Sequence, residues 1–300
     1  MSGAVPSITP SLGGVGWPSA NTRLAGVIGH PVRHSLSPRL HQAAYRALGV
    51  DWAYLAFDVA PTSFAGAIEG AKALGLVGLS VTMPHKDAAA RIATRRSPVV
   101  RRLGAANTLT FSDGRIEAES TDGEGLLADL RQEVSFEPEG RCCGVIGAGG
   151  AARAVVVALA EAGASQVLIV NRTPSRAFQA ATLAPGRGRV ARPEELGEAE
   201  LIVKATPMGM GSEGGAEAAA REEVFVDASR FGAGQLVVDL VYDPPVTEWL
   251  AEAAASGARI RGGLGMLVYQ AARQVELWTG SKPPLSEMWR SVGRPVPNRP

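Results

Sequence analysis

Apolar residues along this chain alternate between short unbroken runs and stripes at helical spacing, and the alternation predicts strands followed by helices. Leu24 to Ile28 reads as a buried strand, and Gly29 to Pro38 as a turn-rich loop. Ser37 as N-cap and Pro38 at the first helical position predict a helix that buries Leu40, Ala44, Ala47 and Leu48 and stops at Gly49. Trp52 to Val59 is the next strand. Thr62 to Leu74 is a helix with Phe64, Ile68, Ala71 and Leu74 on one stripe, and Val77 to Thr82 is a third strand. Met83-Pro84-His85-Lys86-Asp87 opens an alanine-rich helix, followed by a short helix near Val99 to Leu103 and a strand from Ala106 to Phe111. Asp113-Gly114 is a hairpin turn signal, with Arg115 to Glu119 returning. The first half therefore reads as a mainly parallel βα sheet with a small antiparallel addition.

Thr121-Asp122-Gly123-Glu124 matches a capping box, and Leu126, Leu127 and Leu130 begin an amphipathic helix that crosses between two domains. The second half starts at Arg141. An apolar strand, a glycine turn and an alanine-rich helix lead to a strand from Gln166 to Val170, then to a helix with Thr173 as N-cap and Pro174 at its first position. Leu201 to Lys204 and Leu236 to Leu240 are further strands, Thr247 to Ala255 is a helix, and a long helix runs from Leu267 to Thr279. Residues 211 to 223 read as a surface excursion, and residues 1–21 and 293–300 as loose tails. The fold class is α/β, with no internal repeat of fixed period.

A length of 300 residues allows about two domains. The formal net charge is +1 and the sequence has no basic stripe or acidic run, so nothing recommends a nucleic-acid or membrane-surface partner, and a small molecule is the expected one. Neither a signal peptide nor an apolar stretch of spanning length is evident. The two cysteines, Cys142 and Cys143, are adjacent in one strand, poor geometry for a bridge. They read as reduced core residues, and so the expected compartment is the cytoplasm.

The glycine turn carries the first chemistry. Gly147-Ala148-Gly149-Gly150-Ala151-Ala152 follows a strand, opens a helix, and has the spacing of the dinucleotide fingerprint, in which backbone N–H groups cradle a pyrophosphate. A tight connection alone would also use glycines, but the strand before, the helix after and a second strand ending at Asn171 favour the dinucleotide. Where a ribose-binding carboxylate would favour NAD, the chain offers Asn171, Arg172 and Arg176. Two guanidinium groups at a helix start suit a 2′-phosphate, so the expected cofactor is NADP; a solvated arginine pair is the bland alternative.

Hydride transfer to or from a nicotinamide needs a proton donor or acceptor as well. None of His30, His34, His41 and His85 has metal-ligand spacing, and no metal site is expected. Two readings stand for Lys86: a solvated first-turn lysine, or a proton carrier tuned by the positive end of a helix. Asp122 has the similar bland role of a helix-start carboxylate. Together, at strand ends, the two could face one cleft.

The chain resembles the shikimate dehydrogenase family over roughly residues 23 to 290. The resemblance rests on motifs in order: Gly29-His30-Pro31 through Ser35-Leu36-Ser37-Pro38; Val81-Thr82-Met83-Pro84-His85-Lys86; Gly104 to Leu109; Thr121-Asp122-Gly123; Gly147 to Arg153; Asn171-Arg172-Thr173; and Gly263 to Ala271. It implies an N-terminal substrate domain (residues 22–120 and 267–292) and a C-terminal Rossmann-type NADP domain (residues 121–266), the last helix returning to the first domain. It implies NADP-dependent reduction of 3-dehydroshikimate to shikimate in aromatic amino acid biosynthesis, Lys86 handling the proton and Asp122 orienting it. Ser35, Ser37, Thr82, Asn107, Asp122, Tyr242 and Gln270 are implied as substrate contacts. Implied cofactor contacts are Gly147, Ala148, Gly149, Gly150 and Ala151 in the turn, Asn171, Arg172, Thr173 and Arg176 after it, and Thr206, Met208, Leu240, Gly263 and Met266. A homodimer is a further expectation.

Three positions depart from the family pattern. Asparagine is usual where this chain has Ser80 and Ser120, and common where it has Lys204. Ser80 is shorter than an amide side chain, so a contact at that edge is lost or bridged by water. The rivals are a paralogue acting on quinate, aminoshikimate or a related ring acid, with NAD as an alternative cofactor, a non-catalytic NADP sensor, and a folate-type methylene dehydrogenase. The sensor has no need of both Lys86 and Asp122, and the folate enzyme leaves Ser35, Ser37 and Asn107 unexplained.

Overall fold

The computed structural model describes residues 18–209 and 226–293, so the expected excursion at 211–223 lies outside the described residues. Two six-stranded sheets organise them. The first has the order β2-β1-β3-β5-β6-β4, built from β1 (Arg23–Gly29), β2 (Trp52–Asp58), β3 (Gly78–Val81), β4 (Arg95–Arg96), β5 (Thr108–Ser112) and β6 (Arg115–Glu119). β2, β1 and β3 are parallel, β5 runs against both β3 and β6, and β4 is parallel to β6. The β5–β6 hairpin turns at Asp113 (φ 49°) and Gly114 (φ 72°). Positive φ at both central residues matches strand twist.

α1 (Ser37–Leu48) and α2 (Phe64–Ala73) cover opposite faces of this sheet; α3 (Lys86–Ile92) and α4 (Pro98–Leu103) share the core that α2 buries. The expected buried faces need two corrections. Ala47 is exposed, and Leu74, 78 % exposed, lies past the end of α2 at its cap. The expected cap at Ser37 is also displaced: Leu36 occupies that position, and the Ser37 N–H donates to Ser35 Oγ. Gly49 closes the helix at φ 66°, as a left-handed terminal glycine does.

The second sheet is wholly parallel, order β12-β11-β10-β7-β8-β9. Its strands are β7 (Cys142–Ile146), β8 (Gln166–Val170), β9 (Gly188–Val190), β10 (Leu201–Lys204), β11 (Leu236–Asp239) and β12 (Arg259–Gly262). Counted from β7, this is the doubly wound order 3-2-1-4-5-6, whose crevice opens between β7 and β10 where the winding reverses. α5 (Asp122–Val134), α6 (Gly150–Glu161) and α7 (Pro174–Thr182) pack on one face, and α8 (Glu248–Ala255) on the other. Buried on both faces, β7, β8, β10 and β11 are apolar almost throughout, unlike the alternating strands of a half-wet sheet.

α9 (Leu264–Thr279) begins three residues earlier than the expected Leu267, and α10 (Leu285–Ser291) follows it unforeseen. Met266 joins the core of the second sheet, while Val268, Ala271, Ala272, Val275 and Trp278 join that of the first. α9 thus returns to the first half, crossing α5 on the way. A Cβ on Gly125 would lie 2.8 Å from Gln270 Cβ and 2.8 Å from the Met266 carbonyl, so the α5–α9 crossing requires glycine there.

Candidate active site

The ends of β3 and β5 and the starts of α3 and α5 converge on Lys86. Its Nζ donates to Asp122 Oδ2 at 2.5 Å, with the two side chains only 15 % and 8 % exposed. Asp122 Oδ1 accepts from Asn107 Nδ2 at 2.8 Å. The capping box expected at Thr121 does not form: no side-chain cap bond is made, and the Thr121 hydroxyl accepts from Asn107 Nδ2 at 2.9 Å instead. Asn107 is held on every side, its Oδ1 accepting from the Thr121 N–H and the Thr108 hydroxyl. Because a backbone N–H can only donate, the amide orientation is determined.

A cavity of about 160 Å³ opens beside this pair. Ser35, Ser37, Thr82, Lys86, Asn107, Asp122, Tyr242 and Gln270 all line it, as do Ala151, Leu240, Gly263 and Met266 from the expected cofactor set. His34 and Ser80 also line it and were not among the expected contacts. Tyr242 comes from the second half and stands beside the Leu36 backbone and Ser35 side chain of the first; burial pushes its hydroxyl up to about 12. Ser120 stays out of the wall, its N–H donating to Glu119. The remaining histidines have structural partners. His85 stacks on Phe64 and bonds the Val59 carbonyl at 2.7 Å, His30 pairs with Asp58, and His41 is wholly buried against Tyr54.

The glycine turn forms the opposite wall. Gly147 adopts φ 119°, where only glycine is comfortable, and a Cβ there would meet the Ala205 carbonyl at 3.1 Å. A Cβ on Gly150 would lie 3.1 Å from Lys86 Cδ, so the aliphatic stem of the lysine rests on the turn itself. A groove of about 310 Å³ runs along it, lined by Ala148, Gly149, Gly150, Arg153 and Arg176 among others. Arg153 reaches across to Asp87, the neighbour of Lys86, and to the Leu103 carbonyl at 3.0 Å.

These residues fit a dinucleotide. Gly149 has open space where a side chain would stand, at the start of a twelve-residue helix. Thr206 Oγ1 and Arg153 Nε are buried polar atoms with no partner among the described residues. Asn171 donates to the Thr173 carbonyl, shaping the turn that presents Arg172 and Arg176; Thr173 occupies the cap position without a side-chain cap bond. Asn171, Arg172, Thr173, Thr206 and Met208 lie outside both cavity and groove linings.

Lys204 acquires a physical account here. Its Nζ donates to the Met208 carbonyl at 2.7 Å and to Asp239 Oδ2 at 2.8 Å, in a pair 6 % and 0 % exposed. Asp239 also accepts from Thr247 Oγ1 and the Val241 N–H. The pair ties together the loops that carry Thr206, Leu240 and Tyr242.

Comparison with known proteins agrees along the chain. Residues 27–109 match the family described as shikimate dehydrogenase substrate binding domain. Residues 131–242 match shikimate / quinate 5-dehydrogenase, and residues 263–292 the shikimate 5'-dehydrogenase C-terminal domain. The shikimate dehydrogenase (NADP(+)) of Methanopyrus kandleri is 45 % identical over 91 % of this chain and 96 % of its own. The shikimate dehydrogenase structure from Aquifex aeolicus superposes with a TM-score of 0.82 at 34 % identity, covering 92 % of this chain and 99 % of that one. The Thermus thermophilus shikimate 5-dehydrogenase in complex with NADP(H) and shikimate gives 0.79 at 36 % identity, covering 90 % and 98 %.

Proposed function

Given that the chain belongs to the shikimate dehydrogenase family, we propose that Lys86 and Asp122 carry out its NADP-dependent interconversion of 3-dehydroshikimate and shikimate. The observation that carries this assignment is the Lys86–Asp122 contact inside a cavity walled on one side by polar side chains and on the other by the glycine turn. When bound, NADP supplies or takes the hydride. The protein supplies the proton and the geometry.

Lys86 Nζ, standing in the cavity, donates a proton to the carbonyl oxygen as it becomes an alcohol, and takes it back in the reverse direction. Asp122 Oδ2 fixes the direction of the ammonium, and Asn107 fixes Asp122. Ser35, Ser37, Thr82, Asn107, Tyr242 and Gln270 supply hydroxyl and carboxylate contacts to the ring acid. On the other wall, Gly147 to Ala151 receive the pyrophosphate, Arg172 and Arg176 the 2′-phosphate, and Thr206, Met208, Leu240, Gly263 and Met266 the nicotinamide half. The domain division at 121–266, with 22–120 and 267–292 as the substrate part, belongs to the same proposal and is supported by the separate cores of the two sheets.

Lys86→Ala should lower turnover by roughly 10²–10⁴-fold while leaving NADP affinity within a few-fold; unchanged turnover removes Lys86 from the mechanism. Steady-state rates with shikimate and quinate, each with both cofactors, test the substrate and cofactor assignments together. A clear preference for NAD would overturn the role given to the two arginines. Cytoplasmic placement rests on the unpaired Cys142 and Cys143, whose thiols burial pushes up, Cys143 to about 12. A homodimer completes the proposal, and light scattering of the full chain decides it.

A further inference from the structure

The reaction outlined above leaves one wall of the cavity without a task. Ser80 lines that wall and is itself buried. Its hydroxyl has two protein partners: Tyr54 OH donates to Ser80 Oγ at 2.6 Å, and Ser80 Oγ donates to Gln274 Oε1 at 2.7 Å. Neither direction is arbitrary, because the surrounding groups settle where each proton lies.

The chain of constraint starts at Gln274. Its Nε2 faces the Asn107 carbonyl at 3.3 Å and the Thr108 hydroxyl at 2.9 Å. A backbone carbonyl can only accept, so the amide nitrogen is the end that faces it and Oε1 is the end that faces Ser80. The Thr108 proton is itself committed to Asn107 Oδ1, which leaves the Thr108 oxygen to accept from Gln274. Gln274 Oε1, an acceptor only, therefore takes the Ser80 proton. It also takes the Nε2–H of His41 at 3.3 Å. With the Ser80 proton spent, the Tyr54 hydroxyl must be the donor of the other bond, and it is buried with no other acceptor recorded among the described residues.

One capacity of Ser80 is left, a lone pair. We propose that Ser80 determines specificity at this wall by accepting and never donating a hydrogen bond, so that the ligand group seated there is a ring hydroxyl and not a carbonyl, ether or carboxylate oxygen. The inference rests on a hydroxylated ring acid being the substrate. It adds an orientation rule: the oxygen that reacts, and the carboxylate, are both turned away from Ser80, because two acceptors facing each other leave both unpaired. A side chain able both to donate and to accept would impose no such rule.

The test compares shikimate with analogues in which each ring hydroxyl is replaced singly by fluorine, which cannot donate. KM and kcat/KM for oxidation are measured where the reacting hydroxyl is retained, and inhibition constants otherwise. In the wild-type enzyme one non-reacting position should discriminate against fluorine by about tenfold or more, the size expected when a buried acceptor loses its donor. In Ser80→Ala that preference should fall to within about threefold at that position only, with NADP affinity unchanged as a check on folding. Tyr54→Phe, which removes a donor but leaves the Ser80 proton on Gln274, should keep the preference. If no ring position loses its preference in Ser80→Ala, or if Tyr54→Phe abolishes it equally, the acceptor rule is wrong. Should wild-type enzyme fail to oxidise shikimate at all, it is the activity assignment that falls.

Discussion

The two walls of the cleft are built on opposite principles. On the substrate side, side chains bond to one another, and the protons of Asn107, Thr108, Thr121, Gln274 and Ser80 have fixed directions. On the cofactor side the wall is mostly backbone, shaped by the absence of side chains at Gly147, Gly149 and Gly150, with buried polar atoms still unpartnered. The proton directions of the first wall are set before any ligand arrives; the second wall is set by the space its glycines leave. Selectivity for a ring with several similar hydroxyls calls for preset directions, whereas a pyrophosphate needs only N–H groups and a helix end.

Breaking the first wall should have the largest effect. Asn107→Ala removes the partner of Asp122 and strands the Thr121 N–H, and we expect kcat/KM for the ring acid to fall at least ~100-fold and stability by about 2–3 kcal/mol. NADP affinity should stay within threefold; an equal loss for both ligands would mean the walls are not separable. Urea titrations and steady-state kinetics give the three numbers.

The same wall should be acid-sensitive. Burial lowers His41 to about 3 from the usual 6.5, with Tyr45, Tyr54, Trp278 and Gln274 around the ring. A group whose folded value is depressed binds fewer protons folded than unfolded between those limits, so its contribution is whole above pH 6.5 and is lost as pH falls toward 3. At one pH unit per ~1.4 kcal/mol, about 2 kcal/mol should be missing at pH 5. His41→Gln should flatten that part of the stability profile; an unchanged slope would clear His41.

Smaller effects sharpen the contact between walls. Gly150→Ala places a methyl 3.1 Å from Lys86 Cδ, and kcat should drop by roughly tenfold with little change in melting temperature, since a displacement of a few tenths of an ångström at the proposed proton carrier is costly while packing barely alters. Arg176→Ala should raise KM for NADP by about tenfold or less and leave KM for NAD unchanged, the loss of one exposed charge-assisted bond. A parallel rise for both cofactors would show that Arg176 serves the pyrophosphate instead.

Local features are legible in the chain, and tertiary ones are not. The β5–β6 hairpin and the strand–turn–helix at Gly147 follow from turn residues and apolar runs, and the structure has both. The short strands β4, β9 and β12 leave no such trace, since Arg95-Arg96 and Arg259-Ile260-Arg261 carry no apolar pattern and join their sheets through backbone pairing. Thr121 misleads because a helix start and a hydroxyl predict a cap, while Asn107, distant in sequence, claims that hydroxyl. The relay at Ser80 spans separations of 26 and 194 residues. Only a substitution against a family pattern flags it. For Lys204 the flag is the same, and its meaning depends on the register that places it beside Asp239.

The glycine crossing of α5 and α9 has a mechanical corollary. Gly123 abuts Ala154 and Ala158 of α6, and Gly125 abuts Met266 and Gln270 of α9, so Asp122 stands within one turn of the crossing from which α9 returns to the first sheet. On the other side the Lys86 stem rests against Gly150, so the Lys86–Asp122 pair is seated between the glycine turn and that crossing. The pair is held like a keystone between two flanks that have no side chains of their own, so bulk added at Gly123, Gly125 or Gly150 is passed on to it.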